Sequence, residues 1–261
     1  MPKDILILSP HRDDSAFSLS IAIIKWLTAR HTVTILNVFT RSRYAPYSDA
    51  AFVHENDELS YVSAMRLRED EHFLRRVTET LPKGLKNHLH MIDLNLKDAP
   101  IRLRIPLEEL SDTPVNPTDP SIEKIRKALT RQSEAGAMEA LVLPAALGKH
   151  IDHLTVREAA MPFTSTIPSA FFEDLPYATT HPSAATDLES LREAAEQCHE
   201  PLSPVLYKIE SAVERKRKLI VGYASQIDDE AGTLISEFAT RYNGGERLWA
   251  NHAWLDIFIN S

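Results

Sequence analysis

The 261-residue chain holds 29 Lys and Arg against 37 Asp and Glu, a net charge of -8, which argues against a polyanion surface as its main feature and makes nucleic acid an unexpected partner. A single cysteine, Cys198, rules out an intrachain disulfide and a Cys-based zinc knuckle, and fits a reducing compartment. The length suffices for a sizeable core, and residues 1–261 are read as one α/β domain.

The N-terminus enters the apolar run Ile5-Leu6-Ile7-Leu8 within four residues and lacks the progression of a secretory signal, so a cytoplasmic location is expected. That run reads as a strand. Residues 15–30 behind it read as a helix, but Ser18, Ser20 and Lys25 interrupt its apolar stretch, which falls short of the roughly 20 residues that span a bilayer. Further strands are expected over 32–39, 88–94, 140–147 and 170–173, and helices near 58–81, 121–136 and 152–162. Such alternation predicts a Rossmann-like sandwich: a mostly parallel sheet, helices on both faces, right-handed crossovers, and a ligand site beyond the strands' carboxyl ends. Residues 175–204, with Pro176, Pro182, Pro201 and Pro204, read as a long connection or lid. Two helices, 210–226 and 229–242, follow, the second stopped by Asn243-Gly244-Gly245, and the tail 248–259 reads as a closing strand. Residues 176–261 together are thus expected to form a lid and closing helices. The basic run Arg215-Lys-Arg-Lys218 reads as a solvated helix face.

Two clusters carry the chemistry. His11-Arg-Asp-Asp14 follows the first strand, and His150-Ile-Asp-His153 follows a later one. A catalytic divalent metal needs about three protein ligands, typically two imidazoles and a carboxylate, with a position left open. His11 and Asp14, three apart in a tight turn, reach one ion, and His153 supplies the third ligand. Zinc, iron(II) and other divalent metals suit such a set. Asp13 is then left beside the metal as general base and acid. His150 is free to act as an imidazolium that stabilises an oxyanion, with Asp152 fixing its tautomer and charge. Helix capping is the plainer use of Asp13 and Asp14, but it does not account for the second cluster. A dinucleotide-binding domain is excluded, because Gly-x-Gly-x-x-Gly is absent after the first strand and the chain has 7 glycines.

The motifs Ser9-Pro-His-Arg-Asp-Asp-Ser-Ala-Phe-Ser18, Arg68-Glu-Asp, Leu96-Lys-Asp-Ala-Pro-Ile-Arg102, Leu147-Gly-Lys-His-Ile-Asp-His153, Phe172-Glu-Asp-Leu-Pro-Tyr177 and Tyr223-Ala-Ser-Gln226 occur in this order. In them the chain resembles the PIG-L/LmbE-like zinc-dependent N-deacetylases, which remove acetyl from N-acetylglucosamine-type sugars, over nearly its whole length. The resemblance implies ligands His11, Asp14 and His153, Asp13 as base and acid, His150 as electrophile, and Arg68 at a substrate contact. Arg68 can equally pair with Glu71 or His72. Departures are Arg12 and Ser15, where the commoner motif has Pro and Glu, and Gly148, where some members carry an oxyanion-assisting tyrosine. Tyr177 or Tyr44 then reaches the site, or His150 and the metal act without help.

Arg43, beside Tyr44 after the second strand, borders the same cleft and either holds a phosphate or carboxylate or belongs to a solvated loop. Asp98 and Arg102 either bind sugar hydroxyls or pair with each other, and Glu173-Asp174 suits hydrogen bonding to a histidine. The expected function is metal-dependent removal of acetyl from an amino-sugar or glycoside, a small-molecule substrate. The alternatives are an amidase on a larger N-acyl conjugate or a silent sugar-binding protein. Apolar residues of the C-terminal tail leave room for a homo-oligomer.

Overall fold

The computed structural model describes residues 1–260. Among these residues seven strands and ten helices alternate along the chain: β1 (Asp4–Ser9), α1 (Asp14–Thr28), β2 (Thr32–Asn37), α2 (Glu55–Glu79), β3 (Leu89–Asp93), α3 (Ala99–Arg102), α4 (Pro120–Glu134), β4 (Ala140–Pro144), α5 (Ile151–Thr164), β5 (Ser169–Phe172), α6 (Tyr177–Thr180), α7 (Ala184–Gln197), β6 (Ser203–Lys208), α8 (Ala212–Ile220), α9 (Asp229–Glu237), β7 (Gly245–Ala250) and α10 (His252–Phe258). The sheet order is β3-β2-β1-β4-β5-β7-β6. Its first five strands run parallel, and β7 lies antiparallel to both β5 and β6. The chain winds outward from β1 to β3, then returns to place β4 on the other side of β1. The switch point lies between β1 and β4, where open α/β sheets bind ligands.

Alternation within each strand explains the two cores. Ile5 and Ile7 of β1 join Val33, Ile35, Leu19, Ile23, Phe73 and Trp254 on one face. Leu6 and Leu8 join Leu36, Leu141, Leu143, Ile125, Leu129 and Val156 on the other. A parallel strand covered on both faces needs such an unbroken apolar run, since successive side chains point to opposite sides. Helix α1 is buried almost all round, which accounts for its serines. Ser18 Oγ accepts from Leu175 N at 3.0 Å, and Ser20 faces Glu246.

Several expectations are corrected. Strand β2 stops at Asn37. Residues 175–204 are not mainly a connection, for they contain α6, α7 and the start of β6, a strand not anticipated because its exposed positions alternate with Val205 and Tyr207 at the sheet edge. Residues 176–261 therefore contribute two strands besides their helices. The tail is a strand and then a helix: β7 ends at Ala250, and Asn251 caps α10 by accepting from Trp254 N at 3.1 Å. Lys216 is not solvated. It is fully buried, 2.6 Å from Glu246 Oε1, and Glu246 Oε2 accepts from Ile21 N and Ala22 N, tying α8, β7 and α1 together. No helix among the described residues is long and apolar enough to cross a membrane.

Candidate metal centre and active site

The first cluster is fixed by the turn that leaves β1. Ser9 Oγ donates to the His11 carbonyl at 2.6 Å and accepts from Ser15 N at 3.1 Å, while His11 N donates to Asp14 Oδ2 at 2.7 Å. Arg12 anchors the turn from beneath. Its buried guanidinium meets Asp70 at 2.5 Å and Asp93 of β3, and Asp70 also accepts from Asn37 and Tyr223. Asp13 stands at the cap position of α1 yet makes no side-chain cap bond. Its Oδ1 instead accepts from Arg66 Nη2 at 2.8 Å, so capping does not explain it.

The second cluster begins α5, directly beyond β4. His153 donates through Nδ1 to Asp174 Oδ1 at 2.7 Å, and Asp174 Oδ2 accepts from Leu147 N. The opposite nitrogen, His153 Nε2, is buried without a hydrogen-bond partner among the described residues and lies 3.4 Å from Asp14 Oδ2. His11 has the complementary arrangement: Nε2 meets Asp152 Oδ2 at 3.1 Å and Nδ1 lies 3.4 Å from Asp14 Oδ2. Each imidazole thus gives one N–H to a carboxylate and keeps a lone pair directed at one place, the usual support for a metal-binding histidine. Donor atoms of His11, Asp14 and His153 all lie within 4.8 Å of one another. They fit a divalent cation.

The surrounding carboxylates make the site strongly attractive to positive charge. Burial opposes charge on His11, yet hydrogen bonds and charges of Asp14 and Asp152 push its pKa up to about 10, a place for positive charge that a bound cation would take over from the proton. Burial likewise opposes an ionised Asp14, but His153 and His11 hold it down to about 2. Buried carboxylates concentrated here favour a cation. A second grouping, His11, His150 and Asp152, is also close enough, but His150 lacks the lone pair. Its Nδ1 accepts from Asp152 N at 3.2 Å, which places the proton on Nε2.

That bond corrects two expectations. His150 is a neutral N–H donor rather than an imidazolium, and burial, followed by the charges of His11 and His153, depresses its pKa to about 3. The backbone N–H of Asp152, not its side chain, fixes the tautomer. The Asp152 carboxylate serves His11, Ala99 N at 2.9 Å and Arg102 Nη2 at 2.5 Å. Arg102 therefore pairs with Asp152 and Asp119 and not with Asp98.

A cavity of about 430 Å³ opens over these groups, lined by Asp13, Tyr44, Arg66, Asp98, His150 and Tyr177 among others. Arg68 is exposed and does not line it. On α2 the buried stripe is Val62, Arg66, Glu69, Asp70, Phe73 and Val77, and Arg68 lies off that face. A charged side chain within a helix's apolar stripe is the signal that could have found Arg66, which the motif reading missed. Asp98 is 4 % exposed, with Oδ1 lacking a hydrogen-bond partner among the described residues. Tyr177 lies beside both imidazoles of the second cluster, its ring centroid 6.0 Å from His150 and 5.5 Å from His153. Gly148 explains how it fits: at φ +78°, a Cβ there would stand 3.1 Å from the Tyr177 Cβ. Arg43 is outside this cavity, 52 % exposed along its side chain and 3.6 Å from Glu58. Glu173 turns away to Tyr242, Arg247 and Trp249, whereas its neighbour Asp174 is the histidine partner.

Compared with known proteins, the chain is 30% identical to 2'-N-acetylparomamine deacetylase of Streptomyces fradiae over 260 residues, covering 94% of this chain and 80% of that one. The chain belongs to the PIG-L/LmbE-like N-deacetylase family. No protein-family model matches it. Among solved structures, the pseudoaglycone deacetylase Dbv21 superposes with a TM-score of 0.65 at 22% identity, covering 97% of this chain and 99% of that one. Teicoplanin deacetylase Orf2 in its zinc-inhibited form gives 0.65 at 20%, covering 95% and 97%. These likenesses establish a shared α/β architecture for this deacetylase, and its own His11, Asp14 and His153 are grouped closely enough to hold a metal ion.

Proposed function

We propose that this deacetylase hydrolyses the acetamide of an N-acetylated amino-sugar carried on a glycoside, with a divalent ion held by His11, Asp14 and His153. One observation carries the reading. The unpartnered His153 Nε2 and the Nδ1 of His11 both converge on Asp14 Oδ2, each at 3.4 Å, with Asp13 beside them and uncommitted to capping. An ion held there supplies Lewis-acid polarisation of the amide carbonyl and makes water more acidic.

The protein's own groups divide the remaining work. Arg66 holds one oxygen of Asp13, leaving the other to take a proton from the attacking water and return it to the departing amine nitrogen. Oxygen–carbon bond formation and carbon–nitrogen cleavage then release acetate and a free amine. His150, fixed as the Nε2–H tautomer, donates to the carbonyl oxygen as charge develops on it. Tyr177 is kept protonated by burial and by the charges of Asp14 and Asp13, so its hydroxyl serves as a second donor. Asp98 is suited to a sugar hydroxyl, because it is a carboxylate lining the cavity beside the ligand set.

The first test is metal content of protein purified without added metal, with acetate release from N-acetylglucosaminides. About one equivalent of metal per chain, lost in His153→Ala together with acetate release, supports the reading. A metal-free protein that stays inert after reconstitution with zinc, iron(II), cobalt or manganese sinks it in favour of a silent sugar-binding protein. Faster release of a longer acyl chain than of acetate would instead assign an amidase.

A further inference from the structure

The catalytic cavity continues into a second one, of about 630 Å³. Tyr44, Asp98, Pro100 and Leu107 line both, so a molecule seated over the metal ligands reaches the second without leaving the protein surface. No metal ligand lines this second space. What it holds is therefore attached to the sugar away from the acetamide.

Its walls have a distinct chemistry. Ile101, Ile105 and Pro106 make an apolar lining, and among the described residues Arg43 and Arg104 bring the only charged groups besides the Asp98 shared at the junction. Arg104 has no ion-pair partner among the described residues and sits at φ +58°, a left-handed conformation that a branched or long side chain rarely adopts. Arg43 is only loosely matched, at 3.6 Å from Glu58. Two guanidinium groups over an apolar floor recognise a group that is flat or greasy and negatively charged, since guanidinium pairs with carboxylate or phosphate oxygens and lies against apolar rings.

We propose that the second cavity is a subsite for the aglycone of the substrate, and that this aglycone is an apolar ring system carrying an anion. The inference rests on the deacetylase reading above. Asp98 marks the junction, since it lines both cavities.

The test uses the metal-loaded enzyme and three aryl N-acetylglucosaminides of one shape, bearing 4-carboxyl, 4-hydroxymethyl or 4-aminomethyl groups, with kcat/KM read from acetate release. The carboxyl compound is expected to exceed the aminomethyl one by about tenfold at low salt, the scale on which a half-solvated attraction differs from the matching repulsion. The ratio should shrink as salt rises, and Arg104→Glu should invert it. Equal rates for all three, a preference for the ammonium, or a ratio unmoved by both salt and Arg104→Glu would overturn the subsite while leaving the deacetylase reading standing. Should Arg104→Glu fail to fold, the wild-type ratio and its salt dependence decide alone. Acetate from none of the three overturns the deacetylase reading, and the subsite with it.

Discussion

Asp13 and Arg66 carry the proposed chemistry at the level of single residues. Asp13 makes no side-chain cap bond and Arg66 holds its Oδ1, which in the proposed reaction leaves the other oxygen to move a proton. Asp13→Asn is expected to lower kcat by about 10²–10⁴-fold, the usual worth of a positioned acid or base, with the metal content of the purified protein unchanged. Retention of full turnover in that variant refutes the assignment. The convergence of His11, Asp14 and His153 was legible because each His-x-Asp motif compresses several donors into one turn. Arg66 was not, and Arg68 stood in its place, because motif matching counts along the chain whereas a helix sorts residues by angle. Two positions on α2 separate a side chain that lines the cavity from one that faces water. The role of Asp152 was misread for a related reason: sequence neighbours suggest a pairing with His150, but the fold brings His11 closer.

Elements set the directions of these groups. β1 and β4 flank the switch point, and the helices that follow them, α1 and α5, begin at the two clusters, so the His/Asp motifs and strand–helix alternation together pointed to this end of the sheet. The bracing beneath it was less legible: Glu173-Asp174 was read as a histidine partner, and Asp174 is one, but Asp70, Asp93, Asn37 and Tyr223 come from four separate segments. Asp174→Asn should weaken divalent-metal affinity by about 10–100-fold, the customary cost of losing the partner that orients a ligand imidazole, and a metal-buffered titration measures it. Unaltered affinity would show that Asp174 merely fills space. Deeper in the same brace, one Arg12 guanidinium serves two carboxylates, and burial, only partly offset by Arg12, raises Asp70 to about 7. The folded protein therefore binds a proton that the unfolded chain releases near the ordinary aspartate pKa. Stability from this group is present below the unfolded pKa, declines as pH rises toward about 7, and is flat above it, with a slope of at most about 1.4 kcal/mol per pH unit. Thermal unfolding from pH 4 to 8 in chelator should show the decline in the parent and a flatter profile in Asp70→Asn; parallel profiles would assign the slope elsewhere.

Across the whole molecule, the two antiparallel strands at the far edge matter because they hold α1 in place. Lys216 of α8 and Glu246 of β7 meet behind the helix whose first turn supplies Asp14. Glu246→Leu strands a buried ammonium and should cost about 3–5 kcal/mol in denaturant unfolding, whereas replacing Lys216 and Glu246 together with apolar residues should recover most of that loss. Equal destabilisation by the single and double variants would argue against this account. The basic run around Lys216 looked like a solvated face because its distant partner is invisible from local charge pattern. The central parallel sheet, by contrast, was readable from its uninterrupted apolar strands, which nothing but double-sided burial requires.

Gly148 carries a lesson for tracing descent. Its missing side chain leaves the room that the ring of Tyr177 fills from a different loop. A column-by-column alignment with members that bear tyrosine at the position of Gly148 would score a lost phenol, although an aromatic hydroxyl still faces the cleft. The two positions constrain each other: a tyrosine regained at 148 would evict the ring of Tyr177, and so a lineage moving between the two arrangements must pass through a form with one phenol or none, never both.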